Sequence, residues 1–139
     1  MCSKEVTEFI KKSHEIRRNT REGYILFIDD EKHITDIFKR LSIIYNFSAL
    51  CVNGIKAGLN TIIKDQENIK CIVIDLHLEH GNGEEIIKHI EENRINIPYI
   101  VYSGDNKEIN KIQDKYPRAM CFKKSDSIYD LIEFLGIEI

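Results

Sequence analysis

The sequence predicts an α/β fold, a doubly wound parallel sheet of five strands covered by helices on both faces. Three observations carry that expectation. Five short apolar runs, rich in β-branched residues, are spread along the chain. Between them lie segments whose apolar residues recur at helical spacing. The third run, Cys71-Ile72-Val73-Ile74-Asp75-Leu76-His77-Leu78, brings a carboxylate to what would be the carboxyl end of a buried strand. Buried strands alternating with amphipathic helices imply parallel pairing through right-handed crossovers.

The elements follow in order. Gly23 punctuates the chain, and Tyr24 to Ile28 runs apolar into Asp29-Asp30-Glu31. The first helix carries Ile34, Ile37, Phe38, Leu41 and Ile44 on one face, and Asn46 breaks it. Phe47 to Val52 is the second strand. Asn53-Gly54 turns into a helix carrying Ile55, Leu59, Ile62 and Ile63. After the Cys71 strand, the polar loop Glu79-His80-Gly81-Asn82-Gly83 opens a third helix with Ile86, Ile87 and Ile90 inward. Ile97 to Tyr102 is the fourth strand, with Pro98 at its start, where a missing donor is tolerated. Ser103-Gly104-Asp105 turns into a poorly apolar helix that Pro117 stops. Ala119 to Phe122 is the fifth strand, followed by Lys123-Lys124-Ser125 and a last helix with Ile128, Leu131, Ile132 and Leu135.

A chain of 139 residues favours one such domain. A net charge of −3 gives no general affinity for nucleic acid or anionic membrane. No apolar run is long enough to span a bilayer and no signal-peptide core is evident, so the expected location is the cytoplasm. Cys2, Cys51, Cys71 and Cys121 lack CxxC spacing, and three lie in strand-like runs, which argues against a disulfide scaffold or a zinc site. Residues 1–22 stand apart: six Lys and Arg face four Glu, with Val6, Phe9, Ile10 and Ile16 as a thin apolar stripe. The expectation there is a solvated helical arm, with a dimerisation or docking helix as the sharper alternative.

Ligands of open α/β sheets bind outside the carboxyl ends of the strands. Asp29 and Asp30, Asp75, Ser103, and Lys123 or Lys124 occupy four of those five ends. Carboxylates converging in one crevice repel each other unless a cation joins them, and hard oxygen ligands suit Mg²⁺ or a similar ion. A carboxylate, a divalent cation, a hydroxyl and an ammonium around one point make a phosphoryl-transfer site, with the carboxylate as nucleophile. Each piece alone has a plainer explanation: an acidic pair caps a helix, Ser-Gly makes a turn, and Lys-Lys is a solvated face.

Over about residues 23–137 the chain resembles the receiver domain of two-component response regulators. The matching residues are Asp29-Asp30, Asp75 with Gly83 eight residues later, Ser103-Gly104 and Lys124; Asp30 and Asp75 are 45 residues apart. The resemblance implies a flavodoxin-like sheet of order 2-1-3-4-5, formed by residues 23–139 behind the arm of residues 1–22. It implies that Asp75 accepts a phosphoryl group from a phosphohistidine of a sensor histidine kinase or histidine phosphotransfer protein. Asp30, Asp75 and the backbone carbonyl of His77 would ligate Mg²⁺ (or Mn²⁺), Asp29 would help through water, Ser103 would bond the phosphoryl oxygen, and Lys124 would pair with it. Strand alternation puts Lys123 and Lys124 on opposite faces, so one of them reaches the crevice, and alignment favours Lys124.

Three departures stand out. Ser125 replaces the frequent proline after the lysine, Glu79 replaces the frequent proline four residues after the phosphoacceptor, and Cys121 occupies the usual aromatic switch position. Phe122 or Tyr102 would then substitute as reporter, or the output face differs. The His77 side chain either tunes the site or leaves only its carbonyl there. A metal site from His77 and His80 alone is not expected. Ser13-His14-Glu15-Ile16-Arg17 echoes the phosphoaccepting segment of histidine kinases, but one short helix leaves no room for that domain. With four residues after Leu135, the expectation is a stand-alone, non-enzymatic receiver that acts on a downstream protein, with a homodimer left open. The alternatives are a non-phosphorylated pseudo-receiver serving as an interaction module and, more remotely, a small phosphate-ester hydrolase.

Overall fold

A computed structural model describes residues 22–124 and 127–137. The N-terminal arm, with Cys2 and the His14 segment, and the Ser125 departure lie outside the described residues. The elements are β1 (Tyr24–Ile28), α1 (Lys32–Ile44), β2 (Ala49–Val52), α2 (Ile55–Asp65), β3 (Ile69–Asp75), α3 (Glu84–Glu92), β4 (Tyr99–Ser103), α4 (Asn106–Lys115), β5 (Met120–Lys123) and α5 (Ile128–Phe134). All five strands pair in parallel, in the order β2-β1-β3-β4-β5. That is the flavodoxin-like order expected.

The sheet is covered on both faces, as its strand composition requires. Leu26, Ile28, Ile72, Ile74 and Val101 pack with Ile62 of α2, Ile86, Ile87 and Ile90 of α3 and Ile112 of α4. On the other face Ile25, Phe27, Val73, Ile100 and Phe122 meet Phe38 and Leu41 of α1 and Leu131 and Ile132 of α5. The central strand β3 is buried on both sides over Cys71–Asp75. Each fully buried Ile or Val there contributes about 1.5–3 kcal/mol of apolar burial.

Three details differ from the sequence expectation. Ile37, Ile44 and Ile63, apolar residues of the first two helices, are exposed and do not join the core. Ile37 and Ile44 form a seven-residue row one position aside from the Phe38–Leu41 stripe, and that narrow stripe is what the edge of the sheet covers. The second strand starts at Ala49 rather than Phe47, whose ring instead packs edge-on against Phe38. The loop after β3 is not purely irregular: His77–Leu78 and Gly81–Asn82 form a two-stranded antiparallel ribbon. Asn46 does end the α1 segment, with φ +54, a left-handed conformation that asparagine tolerates.

Gly83 fixes this ribbon against the strand that carries Asp75. Its N–H donates to the Leu76 carbonyl at 2.9 Å. A Cβ at Gly83 would stand 2.2 Å from the Asp75 carbonyl oxygen and 2.8 Å from Ile74 Cγ2. Neither atom is the free end of a flexible chain, so the ribbon itself must shift. Gly83→Ala is expected to lower unfolding stability by roughly 1–3 kcal/mol, the usual cost of overpacking. Urea denaturation checks it; an unchanged midpoint would mean that the ribbon is not pinned there.

Candidate functional site

The parallel register sets strand ends side by side. Asp75 pairs with Tyr102 across β3 and β4, which places Ser103 one residue beyond, and Ser103 pairs with Lys123 across β4 and β5. Lys124 leaves β5 at that point, its amide donating to the Ser103 carbonyl at 2.9 Å. Asp29 follows β1 directly, its amide bonded to the Val52 carbonyl of β2 at 3.1 Å.

Of the two lysines, Lys124 brings its ammonium to the carboxylates. Lys124 Nζ lies 3.0 Å from Asp75 Oδ2, 3.1 Å from Asp29 Oδ2 and 3.0 Å from Glu31 Oε1. It also stands 5.5 Å from the centroid of the buried Tyr102 ring, within cation–π range. Asp29, Asp75 and Ser103 are buried, each with at most 1% of its surface exposed. Buried carboxylates and hydroxyls at the rim of a sheet need partners. Asp75 Oδ1 accepts from the His77 amide at 3.1 Å, and Asp29 Oδ1 accepts from the Glu31 amide at 2.9 Å. Ser103 Oγ accepts from the Asp105 amide at 3.2 Å. Asp29 Oδ2 is different: it is fully covered and, although Lys124 is near, takes no hydrogen bond of acceptable geometry.

The electrostatics follow from this crowding. Burial, and then the charge of Asp29, push the Asp75 carboxyl up to about 7, against the opposing pull of Lys124 and the His77 amide. Burial alone would depress Lys124, but its bonds to Glu31 and Asp75, with the charges of Asp75 and Asp29, raise it above its ordinary value. The ammonium is therefore fixed as a cation, and Asp75 is the group whose ionisation the fold opposes.

One oxygen of each of Asp29, Asp30 and Asp75 lies within 4.8 Å of the others. This all-oxygen donor set, in which Asp29 Oδ2 is covered and takes no hydrogen bond, fits a hard divalent cation. Asp30 is the least buried of the three, and its Oδ2 accepts from the Glu79 amide at 2.6 Å. That bond exists because residue 79 is not proline, so the departure in the sequence has a structural use.

Residues 25–122 match the family model described as the response regulator receiver domain. The chain belongs to the response regulator receiver domain family. Receiver domains also account for its structural likeness. The receiver domain of the Francisella response regulator 1452 superposes with TM-score 0.73 at 25% identity, over 83% of this chain and 94% of that one. A receiver domain protein from Clostridium thermocellum, at 23% identity and TM-score 0.71, covers 82% of this chain and 91% of its own and shares the fold. In sequence, the receiver is 25% identical to the response regulator SaeR of Staphylococcus aureus over 89 residues, which are 64% of this chain and 38% of SaeR. It is 29% identical to ARR21 of Arabidopsis thaliana over 85 residues, 60% of this chain and 14% of that protein. The chain thus spans well under half the length of these curated relatives.

Two side chains of this receiver take partners that the sequence does not single out. Glu31 stands at the N-cap of α1 without capping it, and its side chain holds Lys124 instead. The His77 imidazole turns to Glu108, with Nε2 2.7 Å from Oε2. Of the candidates to replace an aromatic switch at Cys121, Tyr102 is buried against Phe27 and under Lys124, and Phe122 is buried against Phe134. Cys121 is half-buried and packs on the core beside α4. Gly104 is open, since a Cβ there would have Lys124 Cβ nearest at 4.0 Å. Among the described residues, no helix is long and apolar enough to cross a membrane.

Proposed function

We propose that this receiver is a phosphoacceptor in a two-component or phosphorelay system, with Asp75 taking the phosphoryl group from the phosphohistidine of a sensor histidine kinase or histidine phosphotransfer protein. The observation that carries this reading is the buried Asp75 carboxylate held by Lys124 beside Asp29, with Asp30 within reach. A carboxylate oxygen of Asp75 attacks phosphorus, the phosphorus–nitrogen bond of the donor breaks, and the imidazole leaves with its electron pair and takes up a proton. Lys124, already 3.0 Å from Asp75, neutralises charge on the phosphoryl oxygens. The Ser103 hydroxyl, which now accepts from the Asp105 amide, turns to donate to a phosphoryl oxygen. Asp29, Asp30, Asp75 and the His77 carbonyl would hold Mg²⁺ or Mn²⁺, which when bound offsets carboxylate repulsion and phosphoryl charge.

Phosphorylation then adds charge at Asp75 and shifts a two-state equilibrium that a downstream protein reads by contact, in the cytoplasm where such kinases deliver phosphate. Incubation of the chain with acetyl phosphate and Mg²⁺, followed by intact mass measurement, tests the reading. One added phosphoryl group that is absent from Asp75→Asn is the expected result. No added mass, under conditions that label another receiver, would favour a constitutive interaction module.

A further inference from the structure

Three acids share one ammonium in the acid pocket, and they do not share it as burial would dictate. A lysine ammonium has three N–H donors. Lys124 gives one to Asp75 Oδ2 and one to Glu31 Oε1, each at 3.0 Å. Asp29 Oδ2, 3.1 Å away and fully covered, takes no hydrogen bond of acceptable geometry. The Glu31 side chain is 46% exposed, so water already solvates it, whereas Asp29 is only 1% exposed. A donor is thus directed to the acid that needs it least.

The other contacts of Glu31 do not explain this one. It stands at the N-cap of α1, yet its side chain makes no cap bond. Its second oxygen lies 3.6 Å from Nε2 of the exposed His33, a solvated pairing of little strength. Its amide donates to Asp29 Oδ1 at 2.9 Å, which fixes the backbone from which the side chain reaches Lys124.

We infer that Glu31 is the displaceable counter-ion of Lys124, holding the ammonium beside Asp75 before phosphoryl transfer and giving it up to a phosphoryl oxygen. This rests on the phosphoacceptor reading of Asp75. Burial decides which partner leaves. Asp29 and Asp75 are each 1% exposed and cannot turn to water, but Glu31 can. Transfer puts a phosphoryl group, a stronger and more highly charged acceptor, in front of the same ammonium. Glu31 therefore competes with that group for Lys124, and its removal favours transfer. It acts through Lys124 and touches no reacting atom, so it is a positioning residue.

The test is the rate of phosphoryl gain from acetyl phosphate with Mg²⁺, followed by intact mass. An Asp75 oxygen attacks phosphorus, the bond from phosphorus to the acetyl oxygen breaks, and acetate leaves with the electron pair. Glu31→Gln should gain the group about two- to fivefold faster than the unaltered chain, the worth of one partly exposed ion pair. That advantage should shrink in about 1 M salt, where screening acts within about 3 Å. Glu31→Asp separates contact from charge. It keeps the carboxylate, but it is one methylene shorter and suited to cap α1, so it gives up Lys124 and should be faster as well. Urea midpoints verify that both variants are folded. A merely structural Glu31 would move the midpoint and leave the rate and its salt dependence alone. Equal or slower gain in Glu31→Gln, or an advantage unaffected by salt, would overturn the inference. Acceleration in Glu31→Gln without any in Glu31→Asp would reduce the effect to distant charge and overturn it too. No gain in the unaltered chain would overturn the phosphoacceptor reading and this role with it, so the two failures are told apart.

Discussion

Asp75→Asn is expected to be more stable than the unaltered chain at pH 8 without metal, by roughly 1–3 kcal/mol, and to lose that advantage as the pH falls toward 4. The sign follows from linkage. Asp75 is raised to about 7 in the folded protein, chiefly by burial and then by Asp29. In the unfolded chain it titrates near its ordinary value of about 3.9. Between those values the folded state holds a proton that the unfolded state has lost, so rising pH destabilises the fold across that window and no further above it. Asparagine stands in for the protonated acid and escapes the cost. The magnitude is set below the full linkage value because relaxation of the surrounding groups reduces the cost of a buried charge. Urea unfolding midpoints of both proteins from pH 4 to pH 8 supply the measurement. A gap that stays constant with pH, or Asp75→Asn being the weaker at pH 8, would mean that the Lys124 contact outweighs burial.

The same stored repulsion explains what the site is suited to do. A carboxylate that the fold disfavours as an anion is stabilised by anything that brings positive charge or removes its own. A divalent cation would do the first, and the proposed acyl phosphate would do the second while adding charge further out, beside Lys124. On the proposed function, binding and covalent change at this site would be coupled to stability.

The fold was legible because its signals are local. Five apolar runs and their helical partners can be counted, and parallel pairing leaves few ways to cover both faces. The convergence of Asp29, Asp30, Asp75 and Lys124 was legible for a different reason: strand ends lie at fixed offsets from apolar runs, so sequence position predicts place. Side-chain direction within a loop has no such period. Nothing in the sequence separates Glu31 as a cap from Glu31 as a partner of Lys124, since both need only an acid before α1. Nor does it show that His77 turns to Glu108, which is 31 residues away and on another element. Ile37 and Ile44 fail for a third reason: periodicity marks an apolar face but not how much of it the edge of a sheet can cover.

Lys124→Met should produce the largest loss of stability of any single change at the site, about 3–5 kcal/mol at pH 8 without metal. The ammonium is the shared counter-charge of Asp29, Glu31 and Asp75, at 3.0–3.1 Å from each. Glu31 is half-exposed and can return to water, but Asp29 and Asp75 are each only 1% exposed and cannot. Methionine keeps much of the packing volume over Tyr102, so the loss reports charge rather than a cavity. The deficit should shrink as the pH is lowered through the raised titration of Asp75, because protonation removes one of the two stranded anions. It should also shrink with added Mg²⁺, which would replace the missing positive charge between the same carboxylates. In the Asp75→Asn background the cost of Lys124→Met should fall, the signature of two groups that act on each other. Urea unfolding of the single and double variants, at two pH values and with and without Mg²⁺, resolves these contributions. A deficit independent of pH, of Mg²⁺ and of the Asp75 substitution would make Lys124 a packing residue rather than the cation on which the acid pocket depends.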